Sequence, residues 1–149
     1  AHGRVGFVRS MLRLGAAREE RRLRERCLDL LVELDLAELA HRPVAGLPFG
    51  TLKRIELARA LAAEPRLLML DEPANGLTHS EVDELGETIR AVRDRFDLTI
   101  LLVEHHMAMV MKISDHIVVL DFGRKIAEGR PDDVRNDPLV IEAYLGAPA

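Results

Sequence analysis

A chain of 149 residues is the length of one domain, and a composition 48% hydrophobic and 31% charged describes a folded, soluble body rather than a disordered one. Aromatic residues make up only 3% and tryptophan is absent, which argues against nucleic-acid binding by base stacking. Net charge is −4, although the first 26 residues hold eight arginines against three glutamates; such a stripe could meet nucleic acid or lipid headgroups, but a solvated helical face with Glu/Arg pairs is the simpler reading.

Residues 17–39 place Leu23, Cys27, Leu30, Leu31 and Leu34 on one stripe with charges opposite, which predicts an amphipathic helix. Cys27, the only cysteine, is read there as a small core residue in a reducing compartment. Ahead of it, "GFVRSMLRLG" (6–15) sets Phe7, Met11, Leu12 and Leu14 among arginines, as subdomain packing or as a surface for a membrane-spanning partner, the former being preferred. "HRPVAGLPFG" breaks the pattern with two prolines and two glycines. A second helix is expected at 51–63, with Ile55, Leu57, Ala58 and Leu61 on one side and Pro65 as its stop.

Three apolar runs follow: "LLML" (67–70), "TILLV" (99–103) and "IVVL" (117–120). Each is nearly continuous, as in parallel strands covered on both faces. The first two flank a helical stripe of Val82, Leu85, Ile89, Val92 and Phe96, opened by a capping box of Thr78 with Glu81 or Ser80 with Asp83. A helix near 106–113 links the second pair, so right-handed crossovers and an α/β layer are expected. "VVLDFGRKIAEG" reads as a tight hairpin and "PDDVRNDPLVIEAYLG" as two short helices. No apolar run approaches the roughly 18 residues needed to cross a bilayer, and no secretory signal is evident.

The first strand ends on two acids, Asp71 and Glu72. In open parallel sheets ligands gather at the carboxyl ends of strands. An Asp there suits magnesium held through water beside a nucleotide's phosphates, and a following Glu suits a general base for an attacking water. By themselves the two acids fit equally well as solvated groups ahead of a helix.

Their surroundings decide the matter. "LPFGTLKRIELARALAAEPRLLMLDEPANGL" resembles, in order and spacing, the signature segment, Walker B strand and D-loop of an ABC-transporter ATPase, and "TILLVEHHM" continues the likeness. With "VVLDFGRKIAEGRPDDVRNDPLVIEAYLG" at the C-terminus, the chain is most similar to the ATP-binding subunits of branched-chain amino-acid importers.

The resemblance implies the C-terminal half of a P-loop NTPase core (α/β, parallel strands with crossover helices) over 65–149, and part of the helical signature subdomain over 1–64. It implies ATP and Mg2+ as cofactors, Asp71 holding the metal through water, Glu72 orienting or deprotonating water, and His105 as the switch histidine near the γ-phosphate. Pro48, Phe49, Gly50 and Thr51 would be the signature, acting in trans on nucleotide held by the partner, and Asn75, Gly76 and Leu77 the D-loop. The implied partners are a second ATP-binding subunit, as homo- or heterodimer, and membrane-spanning permease subunits, with no nucleic acid. The implied place is cytoplasmic, peripheral on the inner face of the cell membrane.

Three departures stand out. Pro48 supplies neither a hydroxyl nor an N–H, Thr78 replaces a frequent D-loop Asp, and His106 replaces an Asp that often follows the switch histidine.

A phosphate loop, G-x-x-x-x-G-K-S/T, does not occur in the sequence: the only lysines are Lys53, Lys112 and Lys125, and none follows a glycine. The chain begins at Ala1, and the expectation is a portion or truncated product of a longer subunit that neither binds ATP tightly nor hydrolyses it alone. Two alternatives remain: an incomplete half-site lending signature and D-loop to a competent partner, and a soluble non-transport ABC ATPase. "DFGRK" (121–125) invites a kinase reading, but no H-R-D loop accompanies it. A metal site from His105, His106 and His116 is disfavoured, because adjacent residues at a strand end should point to opposite sides.

Overall fold

The computed structural model describes the backbone of residues 3–145 and the side chains of residues 17–144. The chain divides into two compact units, Ala1–Pro65 and Arg66–Ala149.

In the N-terminal unit, α1 runs without a break over Gly3–Glu33, beginning well before the expected residue 17. Strong helix formers (Arg, Leu, Glu, Ala, Met) fill most of this stretch, and Gly6 and Gly15 within it cost only about 1 kcal/mol each. The side chains of 6–15, for which a packing role was weighed, lie outside the described residues. From Ala17 to Asp29 every residue is exposed, including Leu23 at 53% and Cys27. Cys27 is therefore a surface thiol and not the core residue its spacing suggested. Spacing identifies the stripe; coverage depends on what lies against it, and here only Leu30 and Leu34, near the helix end, are buried. α1 packs on α2 (Phe49–Leu61) and on a 3-10 turn at Ala37–Leu39, and Arg26 pairs with Glu64. α2 starts two residues earlier than expected, directly after Pro48, and buries Leu57, Ala58 and Leu61.

The C-terminal unit opens with β1 (Leu67–Asp71), which pairs in parallel with β2 (Thr99–Val103), in register from Leu67↔Thr99 to Asp71↔Val103. α3 (His79–Phe96) makes the crossover. Of the two possible capping boxes the Thr78–Glu81 one forms: the Thr78 amide donates to Glu81 Oε2 at 2.8 Å, and the Glu81 amide donates to Thr78 Oγ1 at 3.4 Å. The predicted stripe buries Val82, Leu85, Ile89 and Val92, while Phe96, in the last turn, stays 37% exposed. With Ala74 and with Met109 and Ile113 of α4 (Met107–Ile113), Val82, Leu85 and Ile89 of this stripe form a core that receives Leu70, Leu77, Ile100 and Leu102. Gly86 lets α3 and α4 approach closely; a Cβ there would lie 3.1 Å from Met109 Cγ.

Two expectations about the sheet are corrected. β1 and β2 are not covered on both faces: Leu68 is buried, but Leu67, Met69, Leu101 and Val103 are each more than half exposed. The core formed with α3 and α4 takes Leu70, Ile100 and Leu102 from alternate positions, so the strands obey a period of two despite their unbroken apolar sequence. Nor does the third run extend the parallel pair. β3 (Ile117–Asp121) pairs antiparallel with β4 (Arg124–Gly129), so the described strands form two two-stranded sheets.

The hairpin itself is the expected one. Phe122 and Gly123, both at positive φ (44° and 76°), form the two-residue turn that matches strand twist, which accounts for the "DFG" string structurally. α5 (Pro131–Arg135) and α6 (Pro138–Val140) then fold back, and Val134 and Val140 join Met111, Ile117 and Val119 in a second core. A wide turn of π type, Ile141–Leu145, follows, and the Tyr144 hydroxyl donates to the Leu120 carbonyl.

Candidate active site

Two loops at the carboxyl ends of β1 and β2 build the site. β1 delivers Asp71 as its last residue, exposed and without a side-chain partner among the described residues. Glu72 continues the pairing by one bond, its amide donating to the Val103 carbonyl at 2.9 Å. Its φ is +43°, a region disfavoured for a residue with a Cβ. The chain then turns: the Asn75 amide donates to the Glu72 carbonyl and the Leu77 amide to the Ala74 carbonyl, with Gly76 at φ +82°. That positive φ is why a glycine stands in the middle of the turn. Ala74 is fully buried and anchors the loop in the core.

β2 delivers Glu104, His105 and His106, the last being the N-cap residue of α4. His105 Nδ1 lies 3.8 Å from Glu72 Oε1, both side chains being about half exposed, so the two groups proposed for the chemistry face one another across the strand ends. The imidazoles of His105 and His106 are stacked at an angle, with ring centroids 4.5 Å apart. The expectation that these rings point to opposite sides is corrected: the alternation of β2 carries on to Glu104, but at His106 (φ −77°, ψ 81°) the backbone has left the extended form, and the two rings meet. His116 is elsewhere, its Nε2 3.1 Å from Glu128 Oε1.

Glu104 was missed from sequence. Its side chain is fully buried. Oε1 accepts the Ala74 amide at 2.8 Å, and Oε2 accepts the amides of His105 (3.0 Å) and His106 (3.3 Å) and meets His106 Nδ1 at 2.9 Å. Burial by itself would push this carboxyl up; the hydrogen bonds from the His106 ring and the three amides outweigh it and hold the group below the usual glutamate range. The signal for it was available. Along β2 the inward positions are 100 and 102, so the next is 104, an acid directed at the interior and therefore in need of donors.

Pro48, Phe49, Gly50 and Thr51 lie in the other unit and open α2. Pro48 is the N-cap with no side-chain cap bond, and its carbonyl accepts the Leu52 amide at 3.1 Å. The amides of the first helical residues have no acceptor within the helix, which makes this end electropositive. Lys53 Nζ lies 5.2 Å from the Phe49 ring centroid.

The donor set at the strand ends fits magnesium. Asp71 offers exposed, hard carboxylate oxygen, unpaired among the described residues, and magnesium typically takes one or two carboxylates and completes its shell with water and phosphate. Among the described residues no group of three or more ligating side chains includes Asp71. An all-protein cage is not what this site offers.

Two family models match the chain: ABC transporter over residues 2–75, and branched-chain amino acid ATP-binding cassette transporter over residues 124–149. The high-affinity branched-chain amino acid transport ATP-binding protein BraF of Pseudomonas aeruginosa is 42% identical over 146 residues, covering 97% of this chain and 57% of that protein. LivG of Escherichia coli K12, of the same description, is 45% identical over 122 residues, covering 82% of this chain and 48% of that protein. The chain thus spans about half the length of the curated relatives it matches. Among solved structures, the ADP conformation of an ATP-binding cassette of an ABC transporter superposes with a TM-score of 0.74 at 31% identity, over 83% of this chain and 50% of that one. These matches show that the chain belongs to the ABC-transporter family and is similar to the branched-chain amino-acid transport ATP-binding proteins within it.

Proposed function

We propose that these residues supply the hydrolytic half of an ATP-driven import subunit for branched-chain amino acids or related solutes. The observation that carries the reading is Glu72, held at positive φ beside Asp71 and 3.8 Å from His105 at the ends of two parallel strands. Glu72 accepts a proton from water as the water oxygen bonds to the terminal phosphorus and the bond to the departing ADP oxygen breaks. His105 offers a ring nitrogen to the phosphate side of the same space. Asp71 would hold magnesium, which when bound would offset charge on the phosphate oxygens. The turn over Asn75, Gly76 and Leu77 would meet a second ATP-binding subunit, homologous or identical. In trans, Phe49, Gly50 and Thr51 would present helix-end amides to nucleotide on that subunit, with Pro48 setting the helix start.

On this reading residues 1–64 belong to the helical signature subdomain and 65–149 to the ATPase core. The assembly works on the inner face of the cell membrane against membrane-spanning permease subunits. Among the described residues no helix is long and apolar enough to cross a membrane. Because the 149 residues contain no phosphate-loop motif, this chain by itself is expected to show no ATP turnover.

The test is Glu72→Gln in the complete ATP-binding subunit, assembled with its permease. Steady-state hydrolysis should fall about 10²–10⁴-fold while nucleotide affinity and nucleotide-dependent dimerisation persist. Hydrolysis within threefold of wild type would remove Glu72 from the role. A competent subunit that drives no amino-acid uptake into vesicles would point instead to a non-transport ATPase.

A further inference from the structure

We propose that Glu104 is a positioning residue for hydrolysis: it fastens the turn after β1 to the turn after β2, and so sets Glu72 and His105 against one another. The proposal rests on the hydrolytic reading above. Glu104 Oε1 holds the Ala74 amide, two residues beyond Glu72, and Oε2 holds the His105 amide directly. The two loops meet otherwise through the Glu72 amide on the Val103 carbonyl and through the long 3.8 Å approach of His105 to Glu72. Ala74 and Leu77 also pack into the core that Met109 of α4 shares, so release of the carboxylate would remove the polar link between the Ala74–Leu77 turn and the His105–His106 turn and loosen their register without freeing either from the core.

Only glutamate meets the geometry. Three amides and a ring nitrogen converge on one carboxylate, and both oxygens must accept. A glutamine offers a single acceptor oxygen, so it can satisfy the Ala74 side or the histidine side but not both, and its amide hydrogens oppose the donors on the other. Aspartate is one methylene shorter. The donor atoms of Glu104, His105 and His106 also lie within 4.8 Å of one another, a spacing open to a metal ion. Glu104 has already committed both oxygens to N–H groups, so the cluster is assigned as a hydrogen-bonded brace.

Two measurements test it. On the 149-residue chain, amide hydrogen exchange is followed at Ala74, His105 and His106 in wild type, Glu104→Gln and Glu104→Ala. Loss of a hydrogen bond to a buried carboxylate should speed exchange about 10–100-fold, at all three amides in Glu104→Ala and on one side only in Glu104→Gln. Amides of Val82 and Ile89 in α3 should keep their wild-type rates, which separates release of the brace from unfolding. Unchanged exchange at Ala74 and His105 in folded Glu104→Gln would overturn the brace. In the complete subunit, Glu104→Gln should lower kcat more than tenfold with nucleotide Kd within threefold, because the buried carboxylate has both oxygens engaged by the two turns. In a His105→Ala background the same substitution should cost less than threefold further, since the two act through one element. Equal losses in kcat and affinity, or additive losses, would mark Glu104 as merely structural. A wild-type subunit without hydrolysis would overturn the functional reading, leaving the brace to be judged by amide exchange.

Discussion

Glu72 stands in a backbone conformation that its own Cβ disfavours, and that conflict can be measured apart from catalysis. At φ +43° a residue with a Cβ carries roughly 1–2 kcal/mol of strain that glycine escapes. Glycine returns about 0.4–1 kcal/mol of that through its greater freedom in the unfolded chain. The Glu72 side chain contributes little to offset: it is 49% exposed, and its approach to His105 at 3.8 Å is a surface contact of about 0–1 kcal/mol that solvent screens. Glu72→Gly should therefore be neutral to about 1 kcal/mol stabilising, while Glu72→Gln, which keeps the strain, should leave stability within about 0.5 kcal/mol. For a chain of this length 1 kcal/mol corresponds to about 2–4 °C in Tm. The assay is urea and thermal unfolding of the 149-residue chain, with Asp97→Gly as the reference. Asp97 is exposed, caps α3 in the left-handed region (φ 50°, ψ 50°) and has no part in the proposed chemistry. If Asp97→Gly stabilises and Glu72→Gly instead destabilises by more than about 1 kcal/mol, then Glu72 makes contacts worth more than its strain, and the view of it as a catalytic group held at a cost in stability is wrong.

In the complete subunit, His105→Ala should reduce hydrolysis at least tenfold with nucleotide Kd changed less than threefold by equilibrium binding; loss of binding with normal turnover of what is bound would refute its role as a switch. At Gly86, Ala should be close to neutral, since gained helix propensity of about 1 kcal/mol meets a 3.1 Å approach to flexible Met109. Gly86→Val should cost about 1–3 kcal/mol in urea unfolding, and a neutral Val would show that α3 and α4 are not held together there. Acid should weaken the C-terminal unit through Glu104 and Glu81. Glu104 is lowered by its hydrogen bonds against burial, Glu81 by the Thr78 amide and hydroxyl. The unfolded chain takes up these protons first, so their contribution is complete above the ordinary glutamate value of about 4.3 and is lost as pH falls through the lower folded values. Denaturation midpoints from pH 7 to pH 3 should therefore fall less steeply in Glu104→Gln than in wild type; parallel curves would deny that the carboxylate form of Glu104 is what the fold prefers.

The parts legible in the sequence are those governed by local rules. The Thr78–Glu81 cap (one of the two boxes the sequence allows), the Val82–Val92 stripe, the Phe122–Gly123 turn and the place of Asp71 and Glu72 at a strand end follow from spacing within one element, while the place of His105 beside Glu72 is what the family resemblance implies. What failed depended on coverage. Cys27 and Leu23 share a stripe with Leu30 and Leu34, yet only the latter pair is covered. An unbroken apolar strand was read as buried on both sides, while Leu67, Met69, Leu101 and Val103 leave one face bare. Periodicity states which face a residue shares, and a second element must supply the burial.

Glu104 belongs to a third kind. Its face continues the alternation of β2 by one residue, but the apolar pattern that marks the strand ends at Val103 and gives a charged position no place. A charge on an inward position is where a strand stops serving the core and starts serving a loop. Only a fixed set of donors makes such a carboxylate tolerable, and here the donors are the amides of the two turns that carry Glu72 and His105. The precision of the candidate site is thus a property of the polar group that the apolar pattern could not accommodate.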